Sequence, residues 1–452
     1  MNIPGFVKIR AMWDTLRTSY WFVPTLMAVA SAMIWVGCYT IDLGLADSVL
    51  HRLGWIYTGG PDGAREMLAV VAGSMITIAG VTFSITIVAL TLASQQFGPF
   101  LLRNFMRDTG NQIVLGTFIS TFLFCLLTLR VIRGTEQEKF VPHLSVSVAV
   151  LLAMFSLGVL IYFIHHVSAF IQASNIISVV GRDLNEAINR LFPDRLGSEQ
   201  PNRDSSRCRK PGREINAAKV RSPGYGYIKA LDNEALLKVA TDNDLVVALL
   251  KRPGDFVGEG DVIANFWPGT SSNDEIDAAI AESLILGSQR TATQDVEFVF
   301  SQIVEIAVRS LSPGINDPFT AIICIDHLGQ GLRRMAGRAI PSPFRFADDG
   351  ALRVVARPAT FSELADAAFN QIRHYGRASE EVLNRLLNTI TELAYHITRE
   401  EDRQALLRHA ALIAQAGRSG VPEKDARWSI HQAYGRARTA LMERPGLSQA
   451  DC

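Results

Sequence analysis

Two groups of side chains in this sequence have types and spacings that could do chemistry. In the second half, Arg290, Thr291, Gln294 and Asp295 stand close together. Asn316 and Asp317 follow in a Ser-Pro-Gly-Ile-Asn-Asp-Pro run, and Asp326 and His327 come next. Brought together, these eight would offer charged and amide groups to a small ligand. Asn316 and Asp317 would stand at a helix N-terminus, where exposed N–H groups favour an anion. Asp326 and His327 are the candidate acid-base pair, but neighbours on a helix point about 100° apart. No nucleophile signature accompanies them, so no catalytic residue is assigned. The plainer reading of the Pro, Gly, Asn and Asp run is a turn whose side chains satisfy helix-end amides.

The second group lies in an apolar run of the first third. Ser74, Thr77, Val81, Ser84, Val88, Thr91 and Gln95 recur every third or fourth residue. They form a mostly hydroxylic stripe along about 32 Å of helix at ~1.5 Å per residue. Thr82 and Thr86 lie away from it. Several copies of such a helix could line a wet pathway. The alternative is close helix packing, which small and hydroxylic residues favour. Four apolar runs carry no Asp, Glu, Lys or Arg, which argues against a proton-coupled pump. A hydroxyl-lined or hydrophobically gated channel needs no such charge.

Those runs extend from Trp21 to Cys38, Met67 to Leu92, Ile113 to Leu129 and Leu144 to Phe163. Each is close to the ~20 residues that cross ~30 Å of hydrocarbon. In lipid every backbone polar group must be paired internally, so all four are predicted as membrane-spanning helices. Trp21 to Cys38 reads as a retained anchor because its apolar run continues past Ala28, Ala30 and Ala32. Basic residues in the short loops nearly tie across the two sides: Lys8, Arg10, Arg17, Arg103 and Arg107 against Arg52, Arg65, Arg130, Arg133 and Lys139. Arg182 and Arg190, beyond the fourth run, tip the count toward an inner-membrane protein with both termini in the cytoplasm.

Charge over the whole chain balances at 44 basic and 44 acidic residues, so no global field points to nucleic acid as a partner. The five cysteines are scattered, and none forms a C-x-x-C pair, which suits neither a disulfide framework nor a zinc ribbon. His165 and His166 have no carboxylate or thiol at helical spacing, and no metal site is assigned. No Walker loop, G-x-G-x-x-G, H-E-x-x-H or G-x-S-x-G occurs.

The expected fold is four transmembrane helices followed by a soluble α+β part. Residues 1–166 form the membrane domain and 167–193 a helical extension of the fourth span, with apolar spacing through Ile177, Val180, Leu184, Ile188 and Leu191. Residues 194–222 form a basic loop too poor in large apolar side chains to fold alone. Residues 223–268 read as a β-rich module, with Leu236 to Ala240 taken among its strands. KRPGDFVGEGDVIANF within it resembles barrel-sandwich domains of the biotinyl and lipoyl kind. Its two turns are placed at Gly254-Asp255 and Gly260-Asp261. The modifiable lysine tip is missing, Lys229 and Lys238 stand in strand-like settings, and no cofactor is expected. Residues 269–445 read as helical, including Ile276 to Gly287, with a tail at 446–452. Expected N-caps are Thr360, Ser379, Thr398 and Asp425, and Thr360 and Thr398 stand in capping-box register with Glu363 and Glu401. Phe344 to Val355 reads as an isolated hairpin or an irregular loop.

Thr82 to Asp108 and Arg290 to Asp326 together resemble the bacterial family of predicted membrane proteins known as domain of unknown function 2254. The resemblance implies location and architecture over nearly the whole chain and transfers no catalytic residue. The function expected from the residues is an oligomeric, channel-like or transport-related pathway in the bilayer, regulated by a cytosolic domain, with the lipid bilayer, further copies of the chain and a small ligand or ion as partners. A non-conducting scaffold or sensor is the rival, and a membrane-bound enzyme comes third.

Overall fold

The computed structural model describes residues 21–44, 57–98, 108–135, 138–170, 172–192, 217–271 and 273–443. Residues 194–216 of the expected basic loop lie outside them, as do Lys8, Arg10, Arg17, Arg52, Arg103 and Arg107, whereas Lys219 and Arg221, expected in that loop, stand in a strand at Ala218–Arg221 that pairs with Val262–Trp267. Two compact units meet at Asn175–Ile176.

The first unit carries four helices long and apolar enough to cross a membrane: α1 (Phe22–Gly44), α2 (Pro61–Phe97), α3 (Thr109–Val131) and α4 (His143–Phe170). With 37 residues, α2 is about 55 Å long at 1.5 Å per residue and exceeds the hydrocarbon core. Between α3 and α4, strands β1 (Arg133–Thr135) and β2 (Glu138–Phe140) pair antiparallel. Phe118, Phe124 and Phe163 are fully buried in the bundle.

Polar groups tie this bundle across its helices. Asp42, near the end of α1, accepts from the Leu144 N–H at 2.9 Å, the Ser145 N–H at 3.0 Å and the Ser145 hydroxyl at 2.7 Å. One helix thus caps the exposed amides of another. Ser31 donates to the Ser120 carbonyl at 2.9 Å, and the Thr121 and Ser156 hydroxyls meet at 3.0 Å.

The extension of the fourth span is a separate helix, α5 (Ala173–Leu191). The spacing noted in the sequence is its packing face, since Ile177, Val180, Leu184 and Ile188 are all buried. Two sheets follow. The five-stranded sheet has the order β3-β7-β5-β10-β9, from β3 (Ala218–Arg221), β5 (Val246–Leu249), β7 (Val262–Trp267), β9 (Phe344–Phe346) and β10 (Leu352–Val355). The three-stranded sheet has the order β6-β4-β8, from β4 (Gly226–Leu231), β6 (Phe256–Val257) and β8 (Leu284–Gly287). Val220, Ile228, Val247, Ile263 and Phe266 fill a common core. Gly254 and Gly260 have φ of 98° and 82°, a left-handed backbone that glycine adopts without strain.

Several local readings need correction. Leu236 to Ala240 is not a strand: it lies in helix α6 (Asn233–Asp242), which Asp232 caps by accepting from the Ala235 N–H. Lys238 is therefore helical, while Lys229 does lie in a strand. Helix α7 (Asp274–Glu282) stops short of Gly287, and Leu284–Gly287 instead pairs with β4. Phe344 to Val355 is a hairpin but not an isolated one. Val354 is buried, and β10 pairs parallel to β5, placing Val354 opposite Val247. Pairing of this kind joins segments far apart in sequence, so no local period announces it.

The rest is helical: α8 (Val296–Ser310), α9 (Pro318–Ala336), α10 (Phe361–Tyr375), α11 (Glu380–Ala394), α12 (Glu400–Gly420) and α13 (Lys424–Met442). The capping box of Thr360 and Glu363 is formed, and Ser379 caps α11. At α12 the N-cap is Arg399 rather than Thr398, and its guanidinium bonds Asp402 and the Arg338 carbonyl. At α13 the N-cap is Glu423, and Asp425 stands in the first turn, where its charge complements the helix dipole.

Candidate functional site

The hydroxylic stripe occupies the side of α2 that its own bundle leaves uncovered. Ser74, Thr77, Ser84, Thr91 and Gln95 are exposed in the single chain, as are Val81 and Val88. The packed side consists of Ala64, Leu68, Ala72, Met75, Ala79, Thr82, Thr86, Ala89 and Ala93. At 100° per residue the two sets lie roughly opposite each other. Ser74, Thr77 and Thr91 each donate to the carbonyl four residues back, at 2.7, 2.8 and 2.9 Å. Their polarity is met locally, and the stripe runs between exposed apolar side chains that include Ile76, Ile85, Ile87 and Leu92. The exposed side of α4 is built differently, from Met154, Phe155, Leu157, Ile161 and Ile164, large apolar groups suited to hydrocarbon.

At one end of the bundle, Asp108 caps α3 through the Gly110 N–H and meets His166 Nε2 at 2.6 Å. The carboxylate that helical spacing around His166 does not supply comes from the start of another helix.

In the soluble unit the eight candidates divide into three places. Arg290, Thr291, Gln294 and Asp295 gather at the N-terminus of α8. The Arg290 guanidinium donates to both oxygens of Asp295 at 2.8 and 3.0 Å, and Asp295 accepts from the Phe298 N–H. Burial would push Arg290 down, yet its bonds to Asp295 hold it above its ordinary range. Gln294 bonds the Leu231 N–H and carbonyl at 2.9 and 3.0 Å, and Thr291 donates to the Lys229 carbonyl. This segment therefore docks α8 onto β4. Asn316 and Asp317 stand at the other end of that helix, about 22 Å away for its 15 residues. Asn316 has φ of 49°, and Asp317 caps α9 through the Thr320 N–H and hydroxyl. Asp326 is ion-paired with Arg385. His327 sits against Gly181 of α5, and burial lowers its pKa, opposed in part by Asp326.

Beside the start of α8 opens a cleft of about 230 Å³, lined by Gln294, Asp295, Glu297, Arg252, Arg345 and Arg357 over a floor that includes Phe192, Leu231 and Pro341. Arg252 joins its sides, donating to Glu297 at 2.7 Å and to Glu363 at 2.9 Å. Burial works to raise Glu363, but the Thr360 N–H and Arg252 outweigh it and hold the carboxylate below its usual range. Sequence reasoning missed Arg252, Glu297, Arg345 and Arg357. Arg252 precedes the Pro-Gly-Asp turn, which marked a bend in the chain and nothing about what faced it.

A family model described as predicted membrane protein (DUF2254) matches residues 17–392. The chain belongs to that family. The matched residues run from the first span into α11. The chain is also 30% identical over 443 residues to the uncharacterised proteins Mb1321c of Mycobacterium bovis and Rv1290c of Mycobacterium tuberculosis, covering 97% of this chain and 83% of each relative. No solved structure matches. Family membership and four spanning helices together make this a membrane protein.

Proposed function

We propose that this family member is an oligomeric inner-membrane protein in which several copies of α2 turn their hydroxylic faces toward a shared pathway, with the soluble unit as its regulator. One observation carries the reading: the stripe from Ser74 to Gln95 lies on the side of α2 that its own bundle does not cover. A second copy or water suits the hydroxyls of that stripe better than lipid does, while Ile76, Ile85, Ile87 and Leu92 beside it are exposed apolar groups of the kind seen on α4. Both termini belong in the cytoplasm on this reading, from Arg182 and Arg190 beyond the fourth span. The β-rich module with its turns at Gly254 and Gly260 serves as a barrel-sandwich-like structural unit carrying no covalent group.

Single cysteines at Ser84 or Thr91, in an otherwise cysteine-free chain in membranes, should react with small hydrophilic thiol reagents. A cysteine at Ile161, on the apolar side of α4, should not. Protection at every stripe position in the folded protein would remove the pathway. It would leave a non-conducting scaffold or sensor, a reading favoured by the arginine-lined cleft at α8.

A further inference from the structure

Helices α9 and α11 pack tightly where Gly329 faces Thr389. A Cβ at position 329 would lie 2.6 Å from the Thr389 methyl group. Beside this contact the helices leave an inner cavity of about 180 Å³ that opens onto a wide surface depression of about 490 Å³, the two sharing Arg333, Arg385 and Glu392. Arg385 donates to Asp326 through Nε and to Glu392 through Nη1 at 3.2 Å. One guanidinium thus stands against two carboxylates, and that part of the site carries surplus negative charge.

Arg333 supplies the opposite surplus. It is exposed and makes no hydrogen bond or ion pair among the described residues. Arg333 and Glu392 line the same two cavities yet do not pair. Thr389, only 2% exposed, lines the inner cavity, and its enclosed hydroxyl has no hydrogen-bond partner. Its neighbour Thr391 meets the same need by donating to the Leu387 carbonyl. A buried hydroxyl without a partner is unfavourable, so a polar group supplied from the cavity would be welcome there.

We propose that this cavity binds a small zwitterion of the α-amino acid class. Its carboxylate pairs with Arg333 and accepts from the Thr389 hydroxyl, and its ammonium sits between Glu392 and Asp326. Its side chain extends into the open depression beside Tyr395 and His396. A lone anion would meet two carboxylates as well as the guanidiniums, and a lone cation would meet the reverse. Only a ligand carrying both charges answers both surpluses. The site lies within the soluble unit and its test reads binding directly, so its failure would leave the pathway reading untouched.

The test titrates the purified full-length protein in detergent with each standard α-amino acid, and in parallel with acetate, inorganic phosphate and methylamine, following heat of binding and thermal unfolding. At least one amino acid should bind and raise the unfolding temperature, while the three single-charge compounds should not. Arg333→Gln and Glu392→Gln should each weaken binding roughly tenfold or more, whereas Arg418→Gln, at an exposed arginine elsewhere, should change nothing. Arg333 makes no hydrogen bond or ion pair among the described residues, so its variant should unfold like the parent. Thr389→Val should fold at least as stably and bind more weakly. No binding by any amino acid, equal binding of acetate or phosphate, or binding indifferent to both Arg333→Gln and Glu392→Gln would overturn the proposal.

Discussion

Inside the membrane unit, buried polar groups reach from one helix to the next: Asp42 to the start of α4, Ser31 to the Ser120 carbonyl, Thr121 to Ser156. In the soluble unit the equivalent work falls to charges at helix ends, such as Arg290 with Asp295, or Arg252 with Glu297 and Glu363. The outer stripe of α2 follows neither pattern, because the hydroxyls of Ser74, Thr77 and Thr91 bond within their own helix. Groups that bridge elements hold the fold together. Groups that fold back on their own helix do not, so changing them should leave the single chain intact.

The largest effect expected from this contrast is at α8. Asp295→Ala removes a buried carboxylate that both caps the helix and neutralises Arg290, and should cost about 3 to 5 kcal/mol. Denaturant unfolding of the purified protein measures it, and a loss near zero would remove the charged-cap account of the soluble unit.

Next comes His409, fully buried on α12 beside Asp366 at 3.0 Å, with Arg408, Arg373 and Phe369 around it. Burial, opposed by Asp366, lowers its pKa to about 4 from an ordinary 6.5. The folded chain keeps the imidazole neutral while the unfolded chain protonates it. Stability from this group is therefore complete above pH ~6.5 and falls as pH drops toward ~4, by about 3 kcal/mol in all. Unfolding free energy followed across that window should flatten in His409→Gln.

Smaller losses belong to the membrane unit. Asp42→Ala leaves the Leu144 and Ser145 amides without their acceptor and should cost about 2 kcal/mol in a detergent melt. Thr121→Val breaks one inter-helix hydroxyl contact and should cost about 1 kcal/mol. Thr77→Val, on the stripe, should change the monomer's stability hardly at all. If Thr77→Val proved as damaging as Thr121→Val, the claim that the stripe plays no part in the fold of one chain would fail.

Much of this was legible from residue types. The four spans appear as charge-free apolar runs because the bilayer allows only internally bonded helices. The apolar spacing from Ile177 to Ile188 announced the buried face of α5, and Thr360 with Glu363 announced a capping box that is present. The misreadings share a cause. Leu236 to Ala240 has strand-favouring composition, but Asp232 caps a helix there. Leu284–Gly287 and Leu352–Val355 are strands only because β4 and β5 offer partners from elsewhere in the chain.

The candidate sites divide along the same line. The chain's own order of residues determined that α2 carries a hydroxylic stripe and that Arg290, Gln294 and Asp295 cluster, since helical period and adjacency are local properties. Only the tertiary structure decided which side of α2 its bundle would cover, and that Asp295 would be occupied by Arg290 while Arg333 stayed unpaired beside Glu392. Such pairings depend on distances between segments far apart in the chain, and these distances arise only when packing brings the helices together.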